Sequence, residues 1–120
     1  QIEILSLQKG WGSEQIKACS FKEKFIDCQS QIDMTWDFSE NAAIIANCDL
    51  IITCDTSIAH LAGGMGVKVW LSLKNIPYWT WGMKIDTTFR YPSMRLFRQT
   101  KRHDWAEVMD EVAIELDELF

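Results

Sequence analysis

The run Leu50-Ile51-Ile52-Thr53-Cys54-Asp55-Thr56-Ser57-Ile58-Ala59-His60-Leu61-Ala62-Gly63-Gly64-Met65-Gly66 decides how the rest of the chain is read. Its opening residues are apolar and β-branched and predict the buried central strand of a sheet; after them the apolar spacing turns helical. A strand that ends where a helix begins leaves unpaired amides and the positive end of the helix dipole in one crevice, which suits a phosphate. Asp55 or Thr56 can cap this helix, leaving amides from Thr56 to Ala59 free to face a ligand. Thr56 and Ser57 precede His60 by four and three residues, so all three share one helix face near the first turn. The same residues also have a purely structural reading, in which Asp55 and Thr56 only cap the helix and His60 packs on the sheet.

Outward from this junction the chain alternates strand and helix. Residues 2–7 alternate apolar and polar positions and predict a strand. It ends at Lys9-Gly10-Trp11-Gly12-Ser13, where the glycines permit a tight turn and Ser13 can cap a short helix to Ala18. Lys9 then lies at the C-terminal end of a strand, the edge where open α/β sheets bind ligands. Residues 25–27 predict a second short strand, and residues 29–36 a loop. Asp37 and Glu40 stand three apart as a capping box, opening a helix to about Asn47. Residues 67–73 are apolar enough for a strand covered on both faces. Residues 74–91 hold Pro77, Trp79, Trp81 and Gly82 without periodicity and predict a functional loop. Its two tryptophans suit either stacking on a base or sugar, or core filling. Residues 94–97 predict a further strand. Asp104 is placed to cap a last helix whose apolar stripe is Trp105, Val108, Met109, Val112, Leu116 and Leu119.

This order predicts an α/β fold, a Rossmann-like parallel sheet with helices on both faces, formed by residues 1–120 as a single domain. The fingerprint G-x-G-x-x-G with an acid further on is missing, which argues against a nicotinamide dehydrogenase. A net charge of −5 argues against non-specific nucleic-acid binding. No apolar run approaches membrane length, so the chain is expected not to span a membrane. Cys19, Cys28, Cys48 and Cys54 lack C-x-x-C spacing and are not interleaved with histidines; reduced core thiols of a cytoplasmic protein are expected rather than a zinc site. The chain opens on Gln1 and enters its apolar alternation at once, which reads as a boundary set just ahead of the first strand of a longer protein.

Asp55, Thr56, Ser57, His60, Leu61, Ala62, Gly63, Gly64, Met65 and Gly66 match in order the nucleotide-sugar motif of glycosyltransferase family 9, the heptosyltransferase family, which the chain resembles. It is most similar to the family-9-like domain at the C-terminus of bacterial tetratricopeptide-repeat proteins. Ser6-Leu7-Gln8-Lys9-Gly10, Trp36-Asp37-Phe38, Trp79 and Trp81, and the run from Tyr91 to Gln99 extend that likeness along nearly the whole chain. The resemblance implies the C-terminal half of a GT-B fold, which binds a nucleoside diphosphate sugar and faces an N-terminal half of the same protein that holds the acceptor and the base. It implies substrate-binding roles for Lys9, Asp55, Thr56, Ser57, His60, Gly64, Trp79 and Trp81, with Lys9 balancing the diphosphate charge. No catalytic residue, metal or cofactor is implied for this half, which would not turn over alone. The chain departs from the repeat-linked pattern at Tyr78 and Thr80, where Asp and Arg are common, and at Val67-Lys68, where a basic residue and proline are. A non-catalytic partner-binding module on the same fold is the alternative that these departures leave open.

Overall fold

A computed structural model describes residues 1–120 as two compact units, Gln1–Asn41 with Phe120, and Ala42–Leu119. The C-terminal unit is α/β. Its sheet has three parallel strands in the order β1 (Ile51–Cys54), β2 (Val69–Leu73), β3 (Met94–Arg98). This arrangement is compatible with a Rossmann-like fold. Helix α3 (Ser57–Gly64) crosses from β1 to β2, and α4 (Ala106–Leu119) follows β3. Two shorter helices, α1 (Gln29–Asp33) and α2 (Phe38–Ile45), precede them.

The register shows how the core divides. Ile51, Val69 and Met94 lie in one row across the sheet, and Ile52, Trp70 and Arg95 in the next, so neighbouring rows face opposite ways. Trp70 and Phe97 meet Val108 and Val112 of α4, with Leu50 and Leu116 at the margin. Val69, Leu71 and Leu73 point the other way. Helix α3, which packs against β1 and β2, buries Ala59, Ala62 and Gly63. Small side chains along that helix let its backbone approach the sheet closely.

Strand β2 is buried at every position, Ser72 included, as its largely apolar run predicts for a strand covered on both faces. β1 is not the central strand. It lies at one edge of the three, with Ile52 45 % exposed and Cys54 exposed, because α4 packs against β3 and leaves that face of β1 open. Cys54 is therefore no core thiol, while Cys19, Cys28 and Cys48 are half-buried. Burial, with Asp49 nearby, pushes the Cys48 thiol up.

Helix α3 stops by a Schellman motif: the Val67 amide donates to Ala62 O at 3.2 Å and the Gly66 amide to Gly63 O at 3.1 Å, with Gly66 left-handed at φ 75°. Helix α2 opens with the reciprocal cap that its sequence predicts. Asp37 Oδ1 accepts the Ser39 amide at 2.9 Å, and Glu40 Oε2 accepts the Asp37 amide at 3.2 Å. At α4 the helix begins at Ala106, and Glu107 accepts the Thr100 hydroxyl at 2.6 Å.

In the N-terminal unit the two predicted strands reduce to a single parallel bridge between Ile4 and Phe25. The predicted loop at 29–36 instead contains α1, which buries Ile32. Its reason is polar rather than periodic. Gln29 Nε2 donates to Gln8 O at 2.8 Å and Asp33 Oδ1 accepts the Gly10 amide at 3.2 Å, so one helical turn ties down residues 8–10. The Gly10 amide, with the Gln29 side-chain amide on the same carboxylate, holds Asp33 below the usual carboxylate range. The predicted helix after Ser13 is a 3-10 segment over Ser13–Ala18, with Gly12 at φ 96° in the preceding position.

Candidate functional site

The junction between β1 and α3 stands at the C-terminal end of a parallel strand, where open α/β sheets place their ligands. Thr56 takes the N-cap position in an extended conformation but makes no capping side-chain bond. Its hydroxyl stands 3.5 Å from that of Thr53 instead. The Thr56 carbonyl accepts the Ala59 amide at 3.1 Å, while the first amides of α3, from Ser57 and Ile58, have no acceptor of the helix's own. Asp55, Thr56, Ser57 and His60 are all exposed around this end. The structure thus gathers four of the sequence-derived site residues on one turn of chain.

His60 is held from two sides. Its Nδ1 lies 2.8 Å from the Tyr91 hydroxyl, and its ring stacks on Trp81 with centroids 5.3 Å apart at 27°. Tyr91 meets the imidazole edge-on at 5.7 Å. One side of the ring is thus supported by its neighbours, as the structural reading of His60 expects, while the residue remains exposed.

The two tryptophans part company. Trp81 is 1 % exposed and forms the floor beneath His60; its indole Nε1 and the neighbouring Thr80 hydroxyl are buried without a hydrogen-bond partner in the protein. Trp79, two residues earlier on the same 3-10 turn, is 73 % exposed, with the Arg90 guanidinium 5.9 Å from its ring centre. Core filling describes Trp81, whereas Trp79 lies on the surface.

Three residues without a sequence-derived role shape the site. Arg98, at the end of β3, donates to Ile85 O at 2.7 Å, Gly82 O at 3.0 Å and Trp81 O at 2.6 Å, and so pins the loop that carries both tryptophans. Burial pushes its guanidinium down from its ordinary value, and the three carbonyls take the place of a carboxylate partner. Tyr91 is the second. Gly63 is the third, because a Cβ there would stand 2.6 Å from Tyr91 Cγ. An arginine closing a strand whose preceding pair, Leu96 and Phe97, is apolar was the available signal for Arg98; nothing local marks the other two.

Gly64 lies at the far end of α3, about 10 Å along the axis from Ser57 at 1.5 Å per residue, and a Cβ there would meet nothing within 4 Å. Lys9 belongs to the N-terminal unit. There its ammonium donates to Thr35 O and lines a small cavity of about 160 Å³ with Trp36, Asp37, Phe38 and Asn41. A larger cavity, about 480 Å³, lies away from the junction, at the N-terminal edge of β2 and β3 between Lys68, Arg95, Glu115 and Glu118. It is floored by Trp70 and crossed by the two-pronged Arg95–Glu115 pair, at 2.7 and 3.0 Å. No cluster of three or more His, Cys, Asp or Glu side chains is assembled to hold a metal, and no helix is long and apolar enough to cross a membrane. No protein-family model, curated protein or solved structure matches the chain.

Proposed function

We propose that this chain is the nucleotide-sugar-binding domain of a bacterial glycosyltransferase, the C-terminal half of a GT-B fold, and that it takes the diphosphate at the amino end of α3. The observation that carries this reading is the uncapped start of α3 at the C-terminal edge of the sheet, with the Thr56 and Ser57 hydroxyls and His60 around it. Backbone amides and a helix dipole stabilise a diphosphate without a metal. When an acceptor hydroxyl attacks the anomeric carbon, the bond to the diphosphate oxygen breaks and the leaving charge falls on these same donors. The acceptor and the base that takes its proton would come from a facing domain.

Titration with ADP, GDP and UDP, their sugars, and inorganic pyrophosphate tests the reading. Binding without added metal is expected between about 10 μM and 1 mM, since a single wall of a cleft leaves much of the ligand wet. Amide shifts should concentrate at Thr56 to His60, and His60→Ala should weaken binding by about ten- to a hundredfold, the loss of one charge-assisted hydrogen bond. Shifts scattered over the surface with none at these residues would refute it. The exposed group of Tyr78, Trp79, Phe89 and Arg90 favours a second reading, a partner-binding module on the same fold, for which no nucleotide of the panel would bind.

A further inference from the structure

We infer that Tyr91 is a positioning residue: its hydroxyl donates to His60 Nδ1 and keeps the imidazole proton on Nε2, the atom left to face an anion. The inference builds on the diphosphate reading of the β1–α3 junction. Three features of the structure carry it. The Tyr91 oxygen is 2.8 Å from Nδ1, within hydrogen-bond range. The Tyr91 ring is itself held, by a glycine at position 63 whose missing Cβ makes room for it and by Trp81 at 6.3 Å between ring centres. The imidazole is stacked on Trp81, which holds its plane, so turning the ring over would keep the stack and lose the hydrogen bond to Tyr91.

A phenol both donates and accepts, so the pair could in principle form with the proton on either imidazole nitrogen. We assign the donor role to the phenol, the choice that suits the ligand. A diphosphate oxygen is an acceptor and needs an N–H opposite it; with Nδ1 occupied as the acceptor of the Tyr91 hydroxyl, Nε2 carries that N–H. An imidazole that pointed a lone pair at the diphosphate would repel it. Tyr91 thereby sets the polarity of His60 before any ligand arrives, which lowers the ordering needed on binding.

The test is the tautomer of His60 in the free protein, read from the ¹⁵N shifts and long-range ¹H–¹⁵N couplings of its ring at a pH where the imidazole is neutral. The wild-type chain should show protonated Nε2 and a hydrogen-bonded, unprotonated Nδ1. Tyr91→Phe keeps the ring over Gly63 and removes only the hydroxyl; it should move the Nδ1 resonance toward that of a free imidazole while the melting profile stays cooperative. Pyrophosphate affinity should fall about three- to tenfold in that variant, the range of one neutral hydrogen bond. A wild-type His60 protonated mainly on Nδ1, or a Tyr91→Phe chain with unaltered His60 nitrogen shifts, would overturn the inference. The tautomer is read without ligand, so a failure of pyrophosphate to bind wild type would count against the diphosphate site and leave the tautomer result to decide the role of Tyr91.

Discussion

The ring of Tyr91 lies over Gly63 so closely that a Cβ added to the glycine would come within 2.6 Å of the ring's Cγ and 2.9 Å of both Cδ atoms. Cγ is the ring atom nearest the tyrosine backbone, so it cannot swing aside as the tip of a long side chain would. The relationship joins helix α3 to the segment entering β3, across 28 residues of sequence, and it fixes the platform on which His60 is held.

Gly63 and Gly64 are adjacent in one helix, yet alanine should act oppositely at the two. Gly63→Ala is expected to destabilise the protein by about 1–3 kcal/mol, the usual range for overpacking, despite the better helix propensity of alanine. Gly64→Ala meets open space and should stabilise by up to about 1 kcal/mol. Denaturant unfolding of the two variants checks the sign of each.

The division between Trp79 and Trp81 should appear as a division between binding and stability. Trp81→Ala is expected to cost about 3–5 kcal/mol, as for other buried large aromatics. Trp81→Phe should cost much less, since it also removes an indole N–H that is buried without a partner. Trp79→Ala should leave stability within about 0.5 kcal/mol of wild type. In the proposed function it would nonetheless weaken nucleotide-sugar binding; thermal melts and calorimetry on the same samples separate the two effects.

The capping box at α2 gives a local test. Asp37→Ala removes the acceptor of the Ser39 amide and should lower stability by about 1 kcal/mol. Glu40→Ala removes the return bond to the Asp37 amide and should act in the same direction. Because the two bonds close one motif, the double variant is expected to lose less than the sum of the singles in a mutant cycle.

Arg95 holds the Glu115 carboxyl below the usual carboxylate range through the paired hydrogen bonds between them, with the charge of Arg95 adding to the effect. A carboxyl whose folded value is depressed contributes stability that is present above its unfolded value, about 4.3, and is lost as pH falls through the folded one. Both side chains are partly exposed, so the contribution is small. Melting temperature followed from neutral to acid pH should show Glu115→Gln below wild type at neutral pH and the two curves converging in acid. Parallel curves across that range would show that the pair does not couple to folding.

The amino-acid sequence by itself determined the elements whose signals are short in range. The strand-to-helix switch at Thr56, the Asp37–Glu40 capping box, the apolar run of β2 around Ser72 and the four-residue spacing of Val108, Val112 and Leu116 all lie where the pattern places them. Each depends on neighbours within one or two turns of chain, so periodicity and capping chemistry suffice. Tertiary structure decided the rest. Residues 29–33 became a helix because Gln29 and Asp33 hold the Gln8–Gly10 turn, which no apolar period announces. β1 is an edge strand of the three because β2 takes β3 as its other partner, and Ile52 and Cys54 are exposed because α4 packs against β3, not because of their own character. Trp79 and Trp81, alike in sequence, separated into surface and core when Arg98 bound the loop carbonyls and His60 settled on Trp81. The Tyr91–His60 hydrogen bond spans 31 residues, and a contact at that separation exists only once packing has brought its partners together, since neither side chain carries a local preference for the other.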